Sequence, residues 1–435
     1  MAHKHRTHRR LLLVVLAGAL IAAGCGGDDD TASDGSGSGS DGSGEALDTG
    51  REEIRAVPDE YDTIQAAVDA AEPGDLVLVS PGVYKEAVTV TTDDIVIRGL
   101  DRNEVILDGE FEKDNGIRIL EADGVAVENM TARNYTTNGF FWTGAERYRG
   151  SYLTAYNNGD YGVYAFDSTV GLFEHSYGSG SPDAGFYIGQ CYPCDAVMDD
   201  VVAENNGLGY SGTNAGGDLY IVNSTFRQNR AGIVPNSGSY EKYYPERETT
   251  IVGNLVYSNN NYETAAIDAA RQAGGNGILV AGGNDNVIER NQVWDHDLTG
   301  IGIVIAPDDE VGVFWPSGNK VQDNVVSDSR LADIGVADEE GAGNCFAGND
   351  FTTTAPLDLE TLMPCSGTGQ GDRNAGALDI MRLATLDDKP PSADYKDQPA
   401  PEAQENMPDA DSAPWEKAGD PPAVDLDAIE TPEKP

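Results

Sequence analysis

A glycine-based repeat runs through the middle of the chain and limits the folds that it can adopt. Glycines followed by apolar-rich stretches recur in steps of 23 residues, with one step of 24, at Gly116, Gly139, Gly162, Gly185, Gly209 and Gly232. The same phase returns at Gly277 and Gly300, and less regularly at Gly335. Between these glycines the sequence alternates as short strands do, with no helical pattern in each repeat. A repeat of this length made of strands alone predicts a parallel β-helix, a solenoid of about ten coils.

A polar position recurs in step with the glycines. It is occupied by Asn129, Tyr152, His175, Asp199, Asn223, Asn254, Asn291 and Asn324. Equivalent residues of successive coils lie about 4.8 Å apart in a β-helix, so this position predicts a ladder of side-chain amides. Leucine-rich repeats need an L-x-x-L-x-L frame that is absent, and propeller blades need about 40 residues each.

The ends of the chain differ from the repeat in composition. Asp62 to Ala71 reads as a capped amphipathic helix that covers the first open strand edges. We place the β-helix at 51–350 and a C-terminal cap region at 351–386. Residues 387–435 hold ten Pro, fourteen Asp or Glu and four Lys. This composition predicts a disordered acidic tail, in which Trp415 and 424–429 read as a short docking segment.

The first 50 residues predict export. Residues 1–24 combine a basic start with a short apolar run, as in a signal peptide. The run Ala22-Ala23-Gly24-Cys25 resembles the bacterial lipobox, which implies a lipidated Cys25 and a protein anchored to the extracytoplasmic face of the cell membrane. Ordinary signal cleavage beside a chance cysteine is the alternative. The Gly/Ser/Asp-rich segment 25–50 predicts a flexible tether.

The net charge limits the classes of partner, and the cysteine content indicates disulfides. The formal net charge is −46, which argues against nucleic acid or an anionic lipid surface as a partner and leaves the lipid anchor as the membrane contact. With Cys25 lipidated, four cysteines remain for disulfides in an exported chain. Their order suggests Cys191–Cys194 and Cys345–Cys365, although four cysteines allow three pairings. A redox or zinc half-site at Cys191 and Cys194 is the alternative.

The opening of the repeat region resembles a known group of proteins. TIQAAVDAAEPGDLVLVSPGVYKEAV looks like the start of pectin-lyase-like β-helix proteins, and the resemblance covers about residues 55–350. It implies a right-handed parallel β-helix and a protein that acts on, or binds, polysaccharide. It does not imply one chemistry, because this fold carries many activities. The polygalacturonase motifs that would accompany Asp199-Asp200 are missing, and 294–297 lacks the proline of the epimerase DPHD motif.

Stacked polar residues in the middle coils form the candidate site. Tyr152, His175 and Asp199 take the repeated polar position in three consecutive coils, and these residue types transfer protons or bind cations. They are the candidate catalytic residues, unless the position faces inward and they form a buried structural chain. Predicted substrate contacts come from the same coils and from loops 236–248 and 307–318: Arg147, Arg149, Glu174, Tyr243 and Trp315.

These features predict a monomeric surface lipoprotein that recognises a polysaccharide, which an acidic polymer would suit. Processing by a uronate lyase- or epimerase-like reaction is one form of this hypothesis. Calcium on clustered carboxylates would serve such a reaction, and no other cofactor is indicated. The alternative is a non-catalytic module that binds glycan or protein.

Overall fold

Parallel strands wind the chain into a right-handed β-helix in the computed structural model. The structure describes residues 53–339, 342–384 and 389–435. Each regular coil gives two strands to one large sheet and one strand to a smaller sheet. Strand pairing joins equivalent residues of successive coils, as in Tyr164 with Tyr187. The predicted fold class is therefore confirmed.

The large sheet has 20 strands, which are Ile54–Val57, Leu76–Val79, Gly82–Tyr84, Val96–Gly99, Val105–Asp108, Ala126–Arg133, Glu146–Tyr156, Thr169–Glu174, Tyr177–Ser179, Ala196–Asp199, Val202–Glu204, Gly216–Val222, Thr225–Arg227, Arg247–Val252, Leu255–Tyr257, Val287–Glu289, Gln292–His296, Lys320–Gln322, Val325–Ser329 and Cys345–Ala347. The small sheet has 11 strands, which are Val88–Val90, Asn115–Leu120, Asn138–Thr143, Tyr161–Phe166, Ala184–Gly189, Leu208–Thr213, Ala231–Asn236, Ile278–Ala281, Thr299–Val304, Ala332–Val336 and Thr354–Ala355. Ala306–Asp308 and Gly312–Phe314 form an antiparallel hairpin.

The core is a set of stacked apolar columns inside the coils. One column on the small sheet contains Ile117, Phe140, Val163, Phe186, Tyr210, Ile233, Ile278, Ile301 and Ile334, all fully buried. Strand residues alternate between this interior and the outer face, so the neighbours of each column member point outward.

The repeated glycines mark a close approach between coils. A Cβ atom on Gly116 would lie 2.4 Å from the carbonyl oxygen of Gly139, and one on Gly162 would lie 2.6 Å from that of Gly185. Real Cβ atoms do not come so near a carbonyl oxygen, so these positions exclude any side chain. This contact recurs between successive coils and explains why glycine recurs every 23 residues in the sequence.

The repeated polar position proves to be two neighbouring positions. In the earlier coils its residues form a corner with left-handed backbone, as at Asn129, Tyr152 and His175, with φ of 54°, 51° and 47°. In the later coils the next residue forms the buried amide ladder, which comprises Asn254, Asn291, Asn324 and Asn349. The predicted ladder is present, but the corner residues precede it.

The stack of Tyr152, His175 and Asp199 predicted from the sequence is wrong at its third member. Asp199 pairs with Glu174 across the strands, and Asp200 takes the corner after His175, where φ is 52°. The step from Glu174 to Asp199 is 25 residues because this coil carries the extra Cys191–Cys194 segment. A step of 24 residues from His175, as occurs once in the glycine repeat, therefore leads to Asp199 and not to Asp200.

Short helices lie at the ends and sides of the solenoid: Ile64–Ala70, Asp268–Ala273, Leu359–Leu362 and Ile380–Ala384. The first is the predicted cap, with Ile64, Ala67 and Val68 buried. Thr63 Oγ1 accepts a hydrogen bond from the amide of Ala66, and Glu86 accepts from the amide of Ile64. The helix lies inside the predicted range of Asp62 to Ala71, with Thr63 as its N-cap.

The C-terminal tail contradicts the prediction of disorder. Residues 389–435 lie against the outside of the solenoid, mostly extended, with short 3-10 helices at Tyr395–Asp397 and Leu426–Ala428. Buried arginines donate to the carbonyl oxygens of these residues. Arg230 bonds Pro390, Arg102 bonds Glu405, and Arg98 bonds Ala413 and Pro414. The predicted docking residues are part of this contact, since Trp415 Nε1 donates to Gly74 and Leu426 packs near Val252.

The two disulfides join Cys191 to Cys194 and Cys345 to Cys365, as the order of the cysteines suggested. The signal peptide, Cys25 and the tether lie outside the described residues. Within the described part of the chain, no helix is long and apolar enough to cross a membrane.

Candidate functional site

Tyr152 and His175 lie side by side at one corner of the solenoid. Their ring centroids are 4.7 Å apart, and His175 Nδ1 is 2.7 Å from Asp200 Oδ2. Asp199 lies on the preceding strand position, where its carboxylate accepts from Asn223 Nδ2 at 2.8 Å. The column of Tyr152, His175 and Asp200 therefore faces outward, and its acidic member is Asp200 and not Asp199.

Two of the predicted substrate contacts meet this pair. Arg149 and Glu174 line a groove of about 290 Å³ together with Tyr152 and His175. The opposite wall of the groove is the tail, at Met407, Pro408, Pro414 and Glu416. The chain's own C-terminus thus already occupies the surface beside the predicted catalytic residues.

The other predicted contacts lie elsewhere. Arg147 pairs with Glu146 at 2.6 Å and does not line this groove. Tyr243 and Trp315 are 46% and 42% exposed on the two insertion loops. These loops touch each other, because the rings of Tyr244 and Phe314 are 5.6 Å apart. The two insertion loops therefore leave the same edge of the solenoid.

An outward row of aromatic side chains lies on the small sheet. Phe141, Tyr164 and Tyr187 are paired in register in three successive coils. The rings of Phe141 and Tyr164 stack at 4.6 Å, with 13° between their planes, and Tyr187 meets Tyr164 edge-on at 4.8 Å. Tyr161 stacks on Tyr164 from the side, at 4.3 Å. We call Phe141, Tyr161, Tyr164 and Tyr187 the aromatic row.

The aromatic residues of these coils have two different roles. Phe140, Trp142, Tyr148 and Phe173 are fully buried inside the coils. Phe141 and Tyr164, the alternate strand residues, remain partly exposed. Only the strand register tells these groups apart.

Carboxyl groups border the aromatic row. Tyr161 Oη donates to Asp183 at 2.6 Å, and Tyr187 Oη contacts both oxygens of Glu241 at 2.8 Å. Burial raises the pKa of Glu241 to about 8. Burial and the charge of Asp183 raise the pKa of Asp160, and burial raises that of Asp183. Protonated carboxyl groups at neutral pH both donate and accept hydrogen bonds.

Phe141, Tyr161 and Tyr164 stay partly exposed because the elements that cover the rest of this face end beside them. Farther along the same face, Val234 and Leu279 are covered by the helix Asp268–Ala273 and by Leu383. Loop 236–248 forms the wall, since Lys242 Nζ bonds Asp167 at 2.6 Å. Sequence reasoning missed Asp160, Asp183 and Glu241 as site residues because nothing local distinguishes them among so many acids.

Residues 70–359 match the model of a protein family described as periplasmic copper-binding protein (NosD). The chain belongs to the NosD family. No curated protein matches it significantly.

Several solved structures resemble this NosD-family chain. The A-module of the Azotobacter vinelandii mannuronan C-5 epimerase AlgE6 is 18% identical, with a TM-score of 0.49 over 68% of this chain and 95% of that one. The A-module of AlgE4 from the same organism is 17% identical, with a TM-score of 0.48 over 67% and 91%. An alginate lyase from Paenibacillus sp. str. FPU-7 is 17% identical, with a TM-score of 0.44 over 69% and 99%.

The copper in the family description does not fit the described residues. His296 is fully buried, and burial lowers its pKa to about 3, while His175 Nδ1 is engaged by Asp200. All four cysteines of the described part are in disulfides. Within that part, no group of three or more His, Cys, Asp or Glu side chains could hold a metal ion. The same finding leaves the predicted calcium without a site there.

Proposed function

We propose that this NosD-family protein recognises a polysaccharide at the aromatic row on its small sheet. The observation that carries the proposal is the stacked, partly exposed pair of Phe141 and Tyr164, bordered by Tyr161 and by carboxyl groups. The outer edges of these stacked rings offer apolar surface on which sugar rings can pack. Carboxyl groups beside them supply the donors and acceptors that sugar hydroxyls need.

The dimensions of the row suit an extended chain. Successive coils lie about 4.8 Å apart, so the partly exposed rings of Phe141 and Tyr164 present contacts on two neighbouring coils. The loop wall at Glu241 limits the row at one end. We prefer this surface to the Tyr152–His175 groove because the tail lines that groove. The proposal concerns binding, and a non-catalytic protein-binding module is the competing function.

We place this recognition outside the cytoplasm. The family description names the periplasm, and the basic and apolar start of the sequence agrees with export. Lipid attachment at Cys25 would hold the site at a membrane surface. This proposal assigns no role in binding to calcium or to the following residues: Tyr152, His175, Arg149, Glu174, Tyr243 and Trp315.

The test is glycan binding by the full chain, kept in solution with detergent. We expect retention of at least one polysaccharide from a panel of uronate polymers and neutral glucans. Tyr164→Ala should weaken the affinity about tenfold or more, which corresponds to about 1.4 kcal/mol. Affinity would be measured by calorimetry.

Tyr257→Ala is the matched control. Tyr257 stacks on Trp294 at 4.2 Å on the large sheet, so its removal deletes a similar surface aromatic pair. Binding should be unchanged in this variant. Failure of every polysaccharide to bind, or equal loss in both variants, would refute the proposed function.

A further inference from the structure

An arginine without a carboxylate partner extends the aromatic row. Arg118 lies on the strand Asn115–Leu120, between the fully buried Ile117 and Ile119, so its side chain points outward. Strand register pairs it with Phe141 in the next coil. Arg118, Phe141 and Tyr164 therefore form one partly exposed outward column, about 10 Å long at the spacing of neighbouring coils, and the buried Tyr187 closes its end.

The bonding of Arg118 differs from that of arginines on other surfaces of the solenoid. Arg133 pairs with Asp108 at 2.8 Å, and Arg227 pairs with Glu204 at 2.6 Å. Within the described residues, Arg118 has no ion pair, and its Nε is buried without a hydrogen-bond acceptor. A buried donor without an acceptor is costly. An acceptor supplied by a ligand would remove this cost.

The charge of this surface is also unusual for the chain. The sequence has 74 acidic and 28 basic residues, so most cations have an acid nearby. The carboxyl groups that border the row have raised pKa values through burial, which reduces the negative charge that they present. An uncompensated guanidinium in this setting favours an anion.

We propose that the polysaccharide bound by the aromatic row carries an anionic group, and that Arg118 binds this group. A guanidinium offers two parallel N–H donors that match a carboxylate or a sulfate. The stacked rings of Phe141 and Tyr164 then hold the sugar units that follow. This inference rests on the proposed function. It adds the substrate class, an acidic glycan, and places the anionic group of this glycan at the Arg118 end of the aromatic row.

Pairs of probes in which methyl esters replace the charged carboxylates test the inference. We would measure the affinity of the full chain for tetramers of galacturonate, glucuronate and mannuronate, and for their fully methyl-esterified forms. For the tetramer that binds, the free acid should bind about tenfold more tightly than its ester. Sulfated and carboxylated versions of one neutral tetramer would distinguish the two anions.

Variants assign the preference to Arg118. Arg118→Met keeps the length of the side chain and removes its charge, so it should bring the acid and the ester to similar affinities. Arg330→Met is the control, because Arg330 is exposed and pairs with Asp297 in a late coil. The control should keep the preference for the acid.

Two outcomes overturn the inference, and each is distinct from failure of the proposed function. In the first, acids and esters bind equally while Tyr164→Ala still weakens both. In the second, Arg118→Met keeps the preference of the wild type. Failure of every tetramer and polymer to bind would instead refute the proposed function itself.

Discussion

Single buried side chains set the pH limits of the fold. His296 continues a ladder in which Asn259 Nδ2 lies 3.4 Å from His296 Nε2, and its Nδ1 is buried without a hydrogen bond. Burial lowers its pKa from 6.5 to about 3. A group whose pKa is lower in the folded state than in the unfolded state contributes its full stabilisation at pH values above its unfolded pKa, which is 6.5 for His296. This contribution is lost as the pH falls from 6.5 toward 3.

The replacement His296→Asn tests this effect. An asparagine amide fits the ladder and does not titrate, so the variant should lose less stability between pH 7.5 and pH 5. We expect it to gain about 2 kcal/mol on the wild type over this interval, following 1.36 kcal/mol for each pKa unit. Urea unfolding at both pH values measures the difference. His175→Asn, at a half-exposed corner, is the control, and identical pH dependence of wild type and His296→Asn would contradict the argument.

At the scale of elements, the tail is the least expected part of the structure. Its proline-rich sequence has few apolar side chains, so its contacts use backbone carbonyl oxygens and buried guanidinium groups. Arg230, for example, donates to the carbonyl oxygens of both Pro390 and Pro391. Two lysines of the tail also have partners on the solenoid or beside it, since Lys417 pairs with Asp94 at 2.7 Å and Lys396 lies over the ring of Phe111.

Proteolysis distinguishes a docked tail from a disordered one. Trypsin should cut slowly after Lys396 and Lys417 in the folded protein, because a protease must lift the segment around the bond away from the solenoid, and the hydrogen bonds of the docked tail oppose this. Both bonds should be cut within the first minutes once urea has unfolded the chain. Mass spectrometry of timed digests follows the fragments. Cleavage at these lysines before any cut in the solenoid would restore the prediction of disorder.

At the scale of the whole molecule, the tail connects coils that do not otherwise touch. In a solenoid each repeat contacts only its neighbours, so stability is local and the ends open first. The tail bonds Gly74 through Trp415, near the first coils, and Ser327 through Lys434, in a late coil. It therefore couples the two ends of the β-helix.

Deleting residues 389–435 should increase opening at the first coils. We expect faster amide hydrogen exchange at Val77 and Ile97, with little change at Val163 in the middle. Exchange detected by mass spectrometry gives these rates. A chain that ends after Ala423 is the control, because it loses the contacts of Leu426 with the Val252 region and keeps those of Trp415. Uniform exchange rates in all three chains would show that the tail adds no coupling.

The coil follows from the pattern of the sequence alone. The glycine phase, the alternation within strands, the cap at Ile64–Ala70 and the order of the cysteines are local or periodic signals, and each reappears in the structure. A period that repeats through many coils specifies which residues stack, because one misplaced coil would turn apolar residues outward.

Tertiary contacts set three features that the pattern does not contain: the phase of the coil with the Cys191–Cys194 segment, the position of the tail, and the partly exposed aromatic residues on the small sheet. Two extra residues beside Cys191–Cys194 move Asp200 into the corner that the sequence assigned to Asp199. The tail is ordered by arginines that lie far from it along the chain. Phe141 and Phe140 differ only in the side of the strand that they occupy. These features depend on partners that are distant in sequence, and composition and period contain no information about such partners.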